Sequence, residues 1–302
     1  MQIDSLAPIV LFIFNRLNHT KKTVEALKKN HLASDSELFI YSDGANNLSD
    51  KVKVSEVRKY IKTINGFKKI TIIERDKNWG LAKSITDGVT EIVNRHNKII
   101  VLEDDLVTSS YFLKFMNESL QFYEHKKKVW HISGWNYPID IETPNDVFLW
   151  RLMNCWGWAT WSDRWRYYEK NSKELIKMFK KEEIYSFNID GSENFFKQLI
   201  DNQKGVINTW AIYWYASIYK NKGLCLNPKH TFVLNIGNDG GGTNKLKGLI
   251  YSSKKLNLKK NISFTEKIHE NKESIKKLKQ FYNKWFIRRV KEKIISIFTF
   301  IK

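Results

Sequence analysis

Four times over the first 125 residues, a short apolar run gives way to a segment with helical spacing, and this alternation limits the possible folds more than any other feature. The runs at 9–14, 37–41, 70–73 and 99–102 read as strands; the first is apolar enough to be buried on both faces. Residues 19–29, 49–64, 80–95 and 111–123 read as helices. In the third of these, Leu81, Ile85, Val89, Ile92 and Val93 fall on roughly one face. A β-α-β-α-β-α-β-α order predicts an α/β fold with a mostly parallel sheet and helices on both faces. Ligands bind such sheets beyond the carboxyl ends of the strands. The informative residues therefore follow each run: Asn15-Arg16, Asp43-Gly44, Glu74-Arg75 and Glu103-Asp104-Asp105. Charge at all four junctions predicts a site along one edge of the sheet.

The second half is aromatic and less regular. Residues 129–133, 147–151, 224–227 and 231–235 are strand-like, 165–169 and parts of 170–205 helical, and 210–221 apolar and aromatic. With 11 Trp in the chain, the rings of Trp156, Trp158 and Trp161 serve either a core or the flat faces of sugars. Cys155 and Cys225 form no CxxC or Cys/His cluster, which predicts two free thiols in a reducing compartment. The apolar run at 8–14 is too short to span a bilayer and follows no leader-like segment, so a cytosolic location is expected.

The strongest chemical signal is Glu103-Asp104-Asp105. Three carboxylates at the end of a buried strand repel one another unless a cation neutralises them. Their hard oxygens suit Mg²⁺ or Mn²⁺, ions that also clamp phosphates. A solvated strand end accounts for an isolated triplet equally well. A Walker-B strand is a poor reading, because no GxxxxGK[ST] loop exists and Gly80–Ser84 lacks that spacing.

Taken in order, residues 8–16, Tyr41-Ser-Asp-Gly44, Asn78-Trp-Gly-Leu-Ala82 and Val101-Leu-Glu-Asp-Asp105 resemble the nucleotide-binding half of GT-A-fold glycosyltransferases. The likeness is to bacterial family-2-like sugar transferases and, more distantly, to N-acetylglucosaminyltransferase I, and covers roughly 8–245. It implies a nucleotide-sugar-binding half at 8–125 and an acceptor-binding half at 126–244. Asp105 would ligate Mn²⁺ or Mg²⁺ on the donor diphosphate, with Glu103 and Asp104 facing the donor sugar and ribose. Arg16 and Asp43 would hold the nucleoside, Asp43 accepting from a uracil N–H of a UDP-sugar. Gly157-Trp158 resembles the element that floors the sugar pocket, which singles out Trp158. The glycine-dense segment 237–243 matches one that orders over the donor, or else is a tight turn.

The pattern departs from the family at one place. Relatives carry a Trp-Asp general base on a second-half helix, but Thr209–Trp214 contains no acid. An inverting transfer needs a carboxylate to deprotonate the acceptor hydroxyl. Asp239, Glu193 and Asp190 are the candidates, and sequence does not choose among them.

The net charge of +19 is uneven: the last 60 residues hold 17 Lys/Arg against 4 Glu, so the basic character belongs to the segment 245–302. Within it Phe286, Ile287, Val290, Ile294, Ile297, Phe298 and Ile301 share one helical face. Such a helix suits an anionic membrane surface, as an enzyme with a lipid-linked saccharide acceptor would need, or packs on the catalytic domain. No nucleic-acid-binding fold is recognisable, and no nucleic-acid partner is expected. The expectation is a peripheral enzyme at the inner face of the cell membrane, acting in bacterial surface polysaccharide assembly. A metal-dependent nucleotidyltransferase or pyrophosphatase, and a non-catalytic membrane-associated binding module, remain as alternatives.

Overall fold

The structure, a computed structural model, describes residues 3–237, 251 and 255–284. The alternation expected in the first half is present: β1 (Ile9–Ile13), α1 (Leu17–Lys28), β2 (Glu37–Ser42), α2 (Leu48–Ile61), β3 (Lys69–Glu74), α3 (Leu81–His96) and β4 (Lys98–Glu103). After it come β5 (Leu106–Thr108), α4 (Phe112–Tyr123), β6 (Val129–Ser133), β7 (Val147–Trp150) and β8 (Trp158–Trp161). Five helices follow β8: α5 (Ser162–Trp165), α6 (Ser172–Met178), α7 (Lys181–Phe187), α8 (Phe195–Gln203) and α9 (Ala211–Lys220). Last come β9 (Leu224–Pro228) and β10 (Val233–Asn235).

Eight strands form one sheet in the order β3-β2-β1-β4-β8-β6-β9-β7. Its first four are parallel, with Ile9 opposite both Leu38 and Ile100. The chain winds outward from β1 through β2 to β3, then returns to the other side of β1 to lay down β4. The winding therefore reverses between β1 and β4, where a doubly wound sheet opens a crevice. Beyond β4 the sheet is mixed: β8 runs antiparallel to β4 and β6, β9 parallel to β6, and β7 antiparallel to β9. β5 and β10 form a separate antiparallel ribbon, Asn235 opposite Leu106.

Burial follows this order. Every residue of β1 and β4 except Lys98 and Glu103 is buried, which explains their apolar runs. β3 is an edge strand whose isoleucines are only half-buried. Two strands were not expected from sequence. β8 reads Trp-Ala-Thr-Trp, too short and too uniformly buried to alternate, and only its pairing with β4 and β6 makes it a strand. β5 is likewise created by β10. α5 begins earlier than the helix expected at 165–169.

The division expected at residue 244 is not how the later residues pack. Asn257 donates its N–H to Thr231 O, Ser263 N–H bonds Asp146, and Asn271 N–H reaches Leu149 O at 2.7 Å. A helix over described residues 272–284 turns Ile275, Leu278 and Tyr282 inward, and the Tyr282 hydroxyl meets that of Tyr137 at 2.7 Å. Arg151 fastens this segment to the body: it pairs with Glu270 at 2.7 Å and with Asp190 at 2.6 Å. Residues 255–284 thus pack as part of the same body, because their apolar side chains complete its core. The amphipathic face predicted over 286–301 lies outside the described residues. Among those described, no helix is long and apolar enough to cross a membrane.

Candidate active site

Two strand ends flank the crevice where the sheet reverses. Arg16 follows β1 and serves as N-cap of α1, its carbonyl accepting the Thr20 N–H at 2.9 Å. Glu103 ends β4, with Asp104 and Asp105 just beyond. The Arg16 guanidinium reaches across and bonds Asp104 Oδ1, while its Nη2 lies 3.0 Å from Asp105 Oδ2. Backbone contacts fix both acids: Thr23 Oγ1 donates to Asp104 O at 2.8 Å, and Ile236 N–H donates to Asp105 O at 2.9 Å.

The electrostatics follow from this crowding. Asp104 is 4% exposed, and its Oδ2 has no hydrogen-bond partner among the described residues. Burial raises its pKa, with Arg16 opposing and Asp105 adding to the rise. Glu103 is not fully covered, but burial and then the two aspartates push its carboxyl up to about 8. Burial works against the charge of Arg16; Asp104 and then Asp105 more than restore it, leaving its pKa above the usual arginine value. Cys155 stands close by: burial, then Glu103, pushes its thiol up to about 12, so it is an inert thiol.

Gly237, just past β10, runs over this cluster. A Cβ there would overlap Asp105 Oδ2 and lie 3.2 Å from Arg16 Nη1, so only glycine permits the approach. His19, not singled out from sequence, has a ring nitrogen 3.3 Å from Ile236 O. Thr23 was missed as well, since nothing marks a mid-helix threonine as an anchor for another strand's carbonyl.

Asp43 acts on a different group from the one expected. Its Oδ1 accepts the N–H groups of Gly44 at 2.9 Å and Trp79 at 2.8 Å, and its Oδ2 accepts that of Gly80 at 2.9 Å. Most of its acceptor capacity is thus spent on holding the β3–α3 loop against the end of β2. Asn78 returns the contact through Gly44 O, and a Cβ on Gly44 would strike the Lys77 backbone. Arg75 stacks over Trp79, its guanidinium carbon 3.7 Å from the ring centre. Glu74 points instead to α2, pairing with Lys62 at 2.9 Å.

Trp158 is corrected from pocket floor to core. It is 1% exposed, with its ring stacked on Trp210 and on His131, and a sugar cannot reach either face. The half-buried ring is that of Trp156, edge-on to Trp135 at 4.6 Å and next to Tyr251. Gly157 has a positive φ of 62°, and a Cβ would meet Val233 at 2.8 Å, so its identity serves the backbone.

The base candidates separate. Asp190 is engaged on both oxygens, by Arg151 at 2.6 Å and by Lys279 at 3.3 Å. Asp239 lies outside the described residues. Glu193 accepts the Asn194 N–H at 3.4 Å and adds to the rise in pKa that burial imposes on Tyr137, Tyr251 and Tyr282. It therefore sits near the tyrosine cluster that packs on Trp135 and, through it, on Trp156.

Among the described residues no three His, Cys, Asp or Glu side chains converge to hold a metal. The picture of three carboxylates sharing one cation is thus not met; a guanidinium bridges two of them. The donor set still fits an ion that takes one or two carboxylates and fills its shell with phosphate and water, as Mg²⁺ characteristically does. The partnerless Asp104 Oδ2 and the partly exposed Asp105 supply that capacity.

A cavity of about 420 Å³ lined by Asp4, Asp35, Glu37, Lys68 and His96 lies at the amino ends of the parallel strands, away from this cluster.

No protein-family model and no curated protein matches the chain. Solved structures resemble it only distantly. The crystal structure of S. aureus TarS aligns at 12% identity and a TM-score of 0.31, over 47% of this chain and 24% of that one. The chain therefore spans about a quarter of that protein's length. The mannosyltransferase PcManGT from Pyrobaculum calidifontis, in complex with GDP-Man and Mn²⁺, aligns at 9% identity and 0.39, over 72% of this chain and 70% of that one. Likenesses this distant carry no argument about chemistry, which rests on the site itself.

Proposed function

We propose that the chain is a GT-A glycosyltransferase that moves a sugar from a nucleoside-diphosphate sugar, UDP-linked, to a saccharide acceptor. The single observation that carries this reading is the meeting of Arg16 with Asp104 and Asp105 at the crevice where the sheet reverses. That is where open α/β sheets bind nucleotides. An arginine beside clustered acids is suited to a diphosphate carrying a hard cation. Asp105 would hold Mn²⁺ or Mg²⁺, which supplies charge stabilisation for the leaving diphosphate. Glu103 and Asp104 would face the donor sugar and ribose. Asp43 orders the loop beside the nucleoside.

The half-buried rings of Trp156 and Tyr251 offer the acceptor a flat surface, and Glu193 is the proposed base for an inverting transfer. The excess charge after residue 243 supports a place at an anionic membrane surface, with a lipid-linked saccharide as acceptor in surface polysaccharide assembly. Flotation on anionic liposomes with and without 285–302 tests that placement; equal binding by both rejects it.

Release of UDP from a panel of UDP-sugars, with and without Mn²⁺, tests the reaction. Slow Mn²⁺-dependent release that disappears in Asp105→Asn is expected. Release of pyrophosphate or monophosphate instead would assign a nucleotidyltransferase or pyrophosphatase. No turnover of any nucleotide sugar would leave a binding module.

A further inference from the structure

Arg16 occupies an unusual place for a residue expected to hold a nucleoside. It lies between two aspartates whose backbones are pinned from outside, Asp104 by Thr23 and Asp105 by Ile236. Gly237 closes over the same spot without a Cβ. With both backbones fixed here, the repulsion between the two carboxylates favours a cation between them. Arg16 supplies one charge, and an oxygen of buried Asp104 is left over with no partner.

A guanidinium and a divalent ion cannot both sit on these carboxylates without strong mutual repulsion. Arg16 is the member of the cluster able to leave: its side chain is long and 27% exposed, against 5% for Asp104. Moving it into water leaves it without an anion, whereas a diphosphate offers the fork geometry a guanidinium binds best.

We infer that Arg16 is a built-in counter-ion that keeps divalent cations off Asp104 and Asp105 in the free protein and yields its place when a diphosphate arrives to receive it. This rests on the reading of the site as one for a nucleoside-diphosphate sugar. Metal and donor affinities are then coupled through one side chain, and each ligand strengthens the other by the same factor.

The test uses Mn²⁺ alone, with no nucleotide, and follows the free-ion spin-resonance signal in titrations of the full chain. Arg16→Met removes the charge and keeps the stem, and should bind Mn²⁺ roughly ten- to a hundredfold more tightly than wild type. Arg16→Lys, a more mobile cation without the fork, should fall between them. Adding Asp105→Asn to Arg16→Met should abolish the gain. Equal affinity in wild type and Arg16→Met overturns the proposal, as does a gain that survives Asp105→Asn. If Arg16→Met fails to fold by circular dichroism, Arg16→Lys decides, and an unchanged affinity there overturns it. Because turnover is not measured, the predicted affinities alongside a failed UDP-sugar assay would reject the transferase reading alone. Sugar transfer with unchanged affinities would reject the counter-ion alone.

Discussion

Asp43 holds the first turn of the helix that follows the next strand, its Oδ2 accepting the Gly80 N–H at 2.9 Å. With Trp79 and Gly44 on Oδ1, one carboxylate takes three backbone donors that the strand end and helix start would otherwise leave open. A loop beside the crevice is thereby ordered by a side chain from a neighbouring strand.

Replacing Asp43 by Asn turns one acceptor oxygen into a donor that faces N–H groups. The cost should be about 1–3 kcal/mol in denaturant unfolding. A change within about 0.5 kcal/mol, the range of ordinary surface substitutions, would show that the loop does not depend on this carboxylate.

A methyl group at Gly237 would overlap the Asp105 carboxylate. Gly237→Ala should therefore lower nucleotide-sugar turnover roughly tenfold or more through misplacement of that acid. Stability should change by less than about 1 kcal/mol. Unchanged turnover would mean that the carboxylate's position is not critical.

Trp158 and Trp156 lie two residues apart and should respond differently. Trp158→Ala empties a core site between Trp210 and His131, at about 3–5 kcal/mol. At half-buried Trp156 the same change should cost clearly less. Paired urea melts check the order, and the reverse order would put Trp158, not Trp156, at the surface.

Leu278 is fully buried on the helix at 272–284. Leu278→Ala should destabilise the whole protein by about 2–5 kcal/mol in a single unfolding transition. A loss under about 1 kcal/mol would return residues 255–284 to the status of an independent tail.

His131 is fully buried, one ring nitrogen 2.9 Å from Asn154 O and the other accepting the Trp214 indole N–H at 3.2 Å. Burial, only partly offset by the Asn154 carbonyl, pushes its pKa down to about 3 from 6.5. Between these values the unfolded chain binds a proton that the folded one refuses, so stability falls as pH drops from 6.5 towards 3. At pH 5 the loss relative to pH 7 should be about 2 kcal/mol. His131→Gln keeps a donor and an acceptor without titrating, and should remove that part of the acid slope. An identical slope in the variant would assign it to the carboxylates.

The first half was legible because periodicity and burial agree there. An apolar run such as Ile9–Ile13 is a strand buried on both faces, and α3 shows its inward stripe directly. Arg16, Asp43 and the acidic triplet were singled out because ligands gather where parallel strands end, and they do lie at the ends of β1, β2 and β4. The second half showed four of its strands and hid β8. Trp158–Trp161 has no alternation because both of its faces are covered, and its tryptophans read equally well as sugar platforms until Trp210 and His131 were seen against one of them. In the basic segment the packing signal was a different one: among the described residues 255–284, Ile275, Leu278 and Tyr282 turn inward and decide where the helix at 272–284 goes.

Local patterning alone determined the α/β class, the parallel strands and the edge that bears the charges, since each depends on near neighbours in the chain. Tertiary structure decided the partners. Arg16 lies 88 residues from Asp104, and Asp43 lies 37 from Gly80. Which carboxylate meets a guanidinium and which meets backbone N–H groups depends on the strand order, and no spacing within the sequence encodes that.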